Sequence, residues 1–501
     1  MLARAEIIGG AAVNDISATH GDLAPWVRAD LPEPPMPRGL SWLGVCGPGI
    51  IVLGVSIGSG EFLLGPATFV KHGLSLLWVT LVAVFFQTVF NTELMRYTVA
   101  TGEPVVTGFM RTRPGKTFWA WFYAALYFLQ IGWPAWAATA AGAIFFLFLG
   151  RLAAPPADSA AIYLIGILTF LACVVVLLLG KRIARTLEML NWVMVVCILG
   201  GFLVLAFIYV PLETWASAVV GFFGFNPAQG GFTFIPDNVD ILLLGALVGY
   251  SGGGGVLNLT LSNWARDKGY GMGSRVGHIA GVLGGKASRL ADTGFIFEPN
   301  AANMSRWRGW WRIVRVDQWA IFFVGALLGM MLPALLYVTF VAAGTDIKGL
   351  AISAVLADTI GSSAGPWLGL LVAALGVWIL FKTQLDCVEG MTRSVTDILW
   401  TGSKRVRAWR GGDVRAIYYS VLALVVVWGI IALKLAQPVM LLQIGANIAG
   451  VIFVISSLHL LYLNTRVLPA ALRPPTWRRV ALVCMALFYG FFVVLVARSF
   501  L

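Results

Sequence analysis

Four residues interrupt an otherwise apolar stretch with a group that can do chemistry. Residues 47–66 would pass for a membrane helix but for Gly58, Ser59, Gly60 and Glu61 near the middle. A carboxylate at membrane depth costs several kcal/mol and persists where it faces a cavity or a partner, so it marks a functional site. Glu61, with Ser56 and Ser59 nearby and carbonyls freed by a broken helix, is a candidate ligand for a metal ion. Hard cations are held by carboxylate, carbonyl, hydroxyl and water oxygens. The same oxygens accept the ammonium of an organic cation or amino acid, whose own carboxylate would meet half-helix N–H groups. The bland alternative is a Glu61 that pairs with a basic residue and binds nothing.

Three further sets carry polar chemistry inside apolar runs. Tyr250, Ser251 and Gly252 open a run of glycines ending at Gly255, with Asn258 just beyond and Gln443 in a later run. Lys382, Asp386, Glu389 and Arg393 follow at spacings that place alternating charges on one helix face. Glu389–Arg393 reads as an intrahelical pair. Lys382 lies deeper, and its ammonium is a candidate replacement for a bound cation, with Asp386 or Glu61 as partner. Asn91, Glu93 and Arg96 form the last set; Glu93–Arg96 at spacing three reads as a structural pair, with a proton relay as the alternative. His459 is a candidate protonation site.

The elements that position these groups are membrane spans. The chain has 501 residues, 59% hydrophobic and 12% charged, with mean hydropathy +0.85, against about 25% charged in soluble domains. Many apolar runs exceed the roughly 20 residues that cross a hydrocarbon core. Eleven spans are expected, at about 42–71, 74–99, 117–149, 159–179, 187–210, 238–264, 317–343, 365–399, 414–435, 439–464 and 477–497. The third should bend around Gly132-Trp133-Pro134. Glycine costs about 1 kcal/mol in a helix interior, so breaks are expected at 58–61 in span 1 and at 249–255 in span 6. Spans 1 and 6 are matching members of two five-span halves, 41–212 and 236–465, which an odd number of crossings inverts; 476–501 holds the eleventh span. Interrupted helices at corresponding positions of inverted halves point to a secondary transporter's site.

Residues 1–40 are polar and Pro-containing, lack a signal-peptide pattern, and read as a mobile tail. Lys and Arg collect in alternate loops, including Arg111, Arg113 and Lys116, then Lys181, Arg182 and Arg185, then a long loop with Lys286, Arg289 and Arg306. Only isolated cations such as Lys71, Arg151, Lys348 and Lys434 occupy the intervening loops. That asymmetry puts the N-terminus in the cytoplasm and the C-terminus outside, in a bacterial inner membrane. It also accounts for the net charge of +12 without nucleic acid. Ser305–Arg315, where Trp and Arg alternate, reads as a short segment in the headgroup region. Five cysteines without paired spacing indicate neither a disulfide framework nor a zinc motif. Without a GxxxxGK[ST] pattern or a nucleophile–base–acid set, ATP-driven pumping and enzymatic activity are not expected. No cofactor is expected; a coupling ion, H⁺ or Na⁺, is left unassigned.

Several of these residues resemble the Nramp divalent-metal transporters (natural-resistance-associated macrophage proteins). Gly47-Pro-Gly49, Phe62, Gly73-Leu-Ser-Leu-Leu-Trp78, Arg96-Tyr-Thr-Val-Ala-Thr-Gly102 and Arg185-Thr-Leu-Glu188 carry the resemblance, with the span count, the basic 6–7 loop and Gln443 fitting as well. It extends over about residues 42–480. It implies an all-α LeuT-type fold, an inverted five-plus-five helix repeat with an added eleventh span, and a site between the unwound parts of spans 1 and 6. The departures are equally specific. The family's Asp-Pro-Gly-Asn positions read Gly58, Ser59, Gly60 and Glu61, and its Met-Pro-His region reads Tyr250 to Gly255. The soft thioether that favours transition metals is missing, and the acidic pair of the family's span 3 falls on Pro134 and Ala137. The leading expectation is a transporter moving a cation, a divalent metal, by alternating access, possessing Gly58, Ser59, Glu61, Tyr250, Ser251, Gly252 and Gln443 as its site. A LeuT-type transporter of a small organic solute is the first alternative, and a non-transporting membrane receptor or scaffold the second.

Overall fold

The computed structural model describes residues 22–179, 183–280, 290–347, 353–434 and 438–500, with the backbone alone described at 59, 438 and 439. Residues 1–21, Lys181, Arg182, Lys286, Arg289 and Lys348 lie outside the described residues, as does the side chain of Ser59. Ten helices among the described residues are long and apolar enough to cross a membrane. They are Pro48–His72, Leu74–Thr101, Lys116–Leu149, Ser159–Leu178, Ile183–Tyr209, Ala301–Phe340, Pro366–Gly402, Val414–Ala432, Met440–Val467 and Thr476–Arg498. The expected sixth span is present in two pieces, Ile241–Tyr250 and Val256–Lys268.

Burial separates the helices into a core and a ring. The apolar window of span 1 is 100% buried, against 28–33% for spans 4, 5, 9 and 11. Span 8, Pro366–Gly402, runs through the middle and packs on spans 1, 3, 4, 5, 6 and 9. Lys382, Asp386, Glu389 and Arg393 all lie in its buried length, where charged side chains must find partners within the protein.

The two expected breaks are built differently. Span 6 stops being helical at Ser251 and resumes at Val256. Gly252, Gly254 and Gly255 have φ of +102°, +73° and +68°, a region that L side chains other than Asn and Asp seldom enter, so glycine is required there. Span 1 does not unwind. Ile57–Leu64 form a π-helical segment between two α-helical pieces, and the Gly65 N–H reaches back to the Gly60 carbonyl. In a membrane each backbone N–H and C=O needs a partner, and a wide turn supplies one where a true break would not; such insertions are frequent at functional sites. Span 3 is interrupted at Gly132–Pro134, between Lys116–Ile131 and Ala135–Leu149.

The N-terminal tail is the clearest correction. Residues 22–40 are not a loose tail but an ordered strap laid over the face that carries the basic loops. Val27–Arg28 pair in parallel with Phe295–Ile296, Leu31 N–H donates to Asn303 Oδ1 at 3.1 Å, and Trp310 Nε1 donates to the Pro32 carbonyl at 2.8 Å. Leu31 is wholly buried and Trp26 nearly so. The extended, Pro-rich sequence suits a strap because it needs partners from elsewhere for its backbone groups. The Trp/Arg segment is packed against the protein along one side. Ala301–Arg315 is a helix that continues into span 7, and Trp307 and Trp310 are buried against the protein. Trp307 packs on Phe297 and Trp310 on Tyr270.

Candidate functional site

Glu61 sits in the π-helical segment of span 1, fully buried. Ser56 Oγ donates to its Oε1 at 2.5 Å, and the Gly252 N–H, exposed by the break in span 6, donates to the same oxygen at 3.3 Å. The second carboxylate oxygen, Oε2, has no hydrogen-bond partner among the described residues. The side chain runs past Gly329 of span 7, where an added Cβ would stand 3.7 Å from Glu61 Cγ.

Close approach explains the span 1 glycines. A Cβ at Gly60 would stand 2.0 Å from the Tyr250 carbonyl oxygen, and one at Gly58 would stand 1.9 Å from Thr383 Oγ1 of span 8. At Gly54 it would meet both Lys382 Nζ and Asn191 Oδ1 at 1.8 Å. Spans 5, 6 and 8 therefore converge on one length of span 1, at Gly54, Gly58 and Gly60.

The break in span 6 is supported by amides that the sequence did not single out. Gln130 of span 3 donates to the Gly254 carbonyl at 2.6 Å and accepts from the Val256 N–H at 2.9 Å. Gln87 of span 2 donates to the Ser251 carbonyl at 2.6 Å and accepts from Asn258, which also donates to Asn91. An unpaired buried backbone group costs about 1–3 kcal/mol, so these two glutamines replace the missing helix rungs. A glutamine inside an apolar run was the available signal.

Not all expected site residues gather at Glu61. Ser251 turns its hydroxyl to the Leu247 carbonyl and to Thr80. Tyr250 offers its backbone to span 1, while its ring faces Trp136 at 6.1 Å. Gln443 does not join the site: it lines an apolar groove with Leu242, Val248 and Phe492, and Asn447 donates to its carbonyl. Span 10 presents that helix face to the eleventh span, away from the break.

Lys382 lies 2.9 Å from Asp386 Oδ2 as a buried ion pair, and Asn191 donates to Asp386 Oδ1 at 3.3 Å. The pair is self-neutralised, so Glu61 has no cation within ion-pair distance among the described residues. Toward the basic face, charge is more densely compensated. Arg266 pairs with Asp267 and Asp397, each at 2.6 Å. Arg393 pairs with Asp267 and with Glu389, and Trp264 Nε1 donates to Glu389 at 2.8 Å. Glu93 bonds Arg96 at 2.7 Å and also Arg478 of span 11 at 3.0 Å. His459 is stacked on Phe109, with its nitrogens 2.8 Å from Thr112 Oγ1 and 3.0 Å from Tyr123 OH.

A cavity of about 490 Å³ opens on the basic face between the starts of spans 1 and 5 and the end of span 6, lined by Gly47, Glu188, Trp192, Trp264 and Lys268 among others. Lys268 bonds Glu188 and the Cys46 carbonyl there. Asp317 of span 7 accepts the Gly47 and Gly49 N–H groups at 3.0 and 2.8 Å. It caps the first turn of span 1 from another helix.

No family model and no curated protein matches this sequence. Solved structures do match along nearly the whole chain. Two variants of the Eremococcus coleocola manganese transporter are 14% and 15% identical, with TM-scores of 0.59 and 0.60, and the similarity covers 96% and 98% of this chain and 90% and 91% of theirs. Mhp1, a nucleobase-cation-symport-1 family transporter, is 13% identical with a TM-score of 0.51 over 90% of both chains. This chain has the LeuT-type fold. It is an integral membrane protein built from the inverted five-helix repeat of that fold with an additional span, and its structural neighbours are secondary transporters, not enzymes.

Proposed function

We propose that this chain is a secondary transporter that moves a hard divalent cation by alternating access, as a divergent branch of the Nramp family. The observation that carries this reading is Glu61 Oε2, a fully buried carboxylate oxygen without a partner among the described residues, where span 1 meets the break in span 6. A buried charge half-satisfied by protein is expected to have a ligand as its other partner. The donors around it are oxygens, namely the carboxylate, the Ser56 hydroxyl and the Tyr250 carbonyl. No group of three His, Cys, Asp or Glu side chains occurs among the described residues. Such a site suits Mg²⁺ or Mn²⁺ retaining part of its water shell more than a softer metal. Lys382, set against Gly54 of span 1 and paired with Asp386, places its ammonium between spans 1 and 8 where a coupling ion would otherwise sit. The basic loops orient the N-terminus to the cytoplasm of a bacterial cell, and the cavity at Gly47 then opens inward.

One observation favours the organic-solute reading. A lone carboxylate with a neutralised Lys382–Asp386 pair beside it balances a single positive charge, which an ammonium group matches without residue. Proteoliposome uptake separates the two. Mn²⁺, Mg²⁺ and labelled amino acids are compared with and without a pH gradient, in native protein, Glu61→Gln and Lys382→Ala. Metal uptake that disappears in Glu61→Gln is the expected result, with pH and sodium dependence altered in Lys382→Ala. Absence of metal flux under every gradient would overturn the metal reading, and amine or amino-acid uptake lost in Glu61→Gln would establish the other.

A further inference from the structure

The arginines between spans 10 and 11 fall into two groups of opposite fate. Arg478 turns inward, bonding Glu93 and Thr92 and lying over Trp311, where it joins Arg96. Its neighbours do not follow. Arg466, Arg473 and Arg479 surround a cavity of about 560 Å³ whose floor is Leu461, Val480 and Val483. Arg473 and Arg479 each use Nε on a backbone carbonyl, of Leu468 at 3.2 Å and of Pro474 at 2.7 Å. Those tethers use Nε alone, and both guanidinium groups line the cavity. None of the three has a carboxylate partner among the described residues. Thr465, also lining the cavity, donates its hydroxyl to the Leu461 carbonyl.

The level of this groove in the membrane can be read from its flanks. Tyr462 lies in the last turns of span 10 and Trp477 in the first turn of span 11, and they are 50% and 52% exposed. Amphipathic aromatics at span ends sit at the headgroup layer. Just below that layer the floor residues Val480 and Val483 face outward with Leu461, as acyl chains require. Three positive charges above an apolar channel match one class of molecule, with phosphate at the top and hydrocarbon below; basic pockets between membrane helices bind anionic headgroups in this manner.

We infer that the groove between the ends of spans 10 and 11 is a binding site for an anionic phospholipid, its phosphate held by Arg466, Arg473 and Arg479 and one acyl chain lying along Leu461, Val480 and Val483. The site is separate from Glu61 and independent of the transported substrate. Its guanidinium groups supply planar, paired donors that fit phosphate oxygens better than lysine would.

Native mass spectrometry of the full chain from nanodiscs containing phosphatidylglycerol and phosphatidylcholine tests this. The protein should retain phosphatidylglycerol, and the variant R466Q/R473Q/R479Q should retain about tenfold less or lower, with phosphatidylcholine retention unaltered. A control, K404Q/R405Q/R410Q, removes as much charge from the 8–9 loop and should keep the lipid. Equal loss in that control would overturn the site in favour of general basicity. Displacement of the lipid by millimolar inorganic phosphate would overturn the acyl groove. Where the triple variant fails to fold, exposed Arg466→Gln alone should lower retention measurably, and no change in it would count against the proposal. Retention of both lipids to the same extent by native protein would also overturn it.

Discussion

Spans 1 and 6 solve the same problem in different ways, and the difference assigns their glycines different jobs. Span 6 gives up its helix for five residues, and three glycines with positive φ make the turn possible. Span 1 keeps a helix throughout by widening it over Ile57–Leu64, and its glycines have ordinary helical backbones. They are there so that Thr383, the Tyr250 carbonyl and Lys382 can come close. At Gly252, Gly254 and Gly255 glycine is a backbone requirement; at Gly54, Gly58 and Gly60 it is a space requirement.

This contrast can be broken by substitution. Gly252→Ala should have the largest effect. It forces a side chain into φ +102° and brings a Cβ to 2.5 Å from Gln87 Oε1. Uptake should fall to background and the melting temperature should drop, and adding Gln87→Ala should restore neither because the backbone conformation is unchanged. A full rescue would show that space, not φ, matters in span 6. Gly58→Ala comes next. Overpacking of this kind costs about 1–3 kcal/mol, and because the obstacle is Thr383, the double variant with Thr383→Ala should recover part of the lost stability and uptake. Failure to recover any would mean that span 1 needs glycine for its backbone after all. The smallest effect belongs to Gln443→Leu. With its side chain in the groove facing span 11, uptake should stay within about twofold of native, equivalent to under ~0.5 kcal/mol; a collapse comparable to Glu61→Gln would return Gln443 to the site.

Much of this arrangement was written in residue types and spacing. Long apolar runs gave the spans, and the four-glycine run located the interruption of span 6, since nothing else there could keep a helix. Spacing of four linked Lys382 to Asp386, because a helix brings such residues together whatever surrounds it. The nature of the span 1 interruption was not legible: Gly58, Ser59 and Gly60 lower helix propensity equally whether the outcome is a break or a wide turn, and neighbouring helices decide. Partnerships across the chain were invisible for a related reason. Glu93 and Arg96 were adjacent enough to pair on paper, but Arg478 arrives from 385 positions away. The strap misled because its composition is that of unfolded segments, while its order comes from partners such as Asn303 and Trp310 that lie far along the sequence.

Asp317 shows how such distant pairing bears on motion. The first N–H groups of span 1 are satisfied by a carboxylate from span 7, so the helix end cannot swing toward the cavity at Gly47 without surrendering two charged hydrogen bonds. Bonds of that type are worth about 1.5–3 kcal/mol each, and a factor of ten in population corresponds to about 1.4 kcal/mol. Losing both bonds without replacement would disfavour a released first turn by about a hundredfold or more. A single carboxylate on span 7 therefore governs how readily the first turn of span 1 can part from its neighbour.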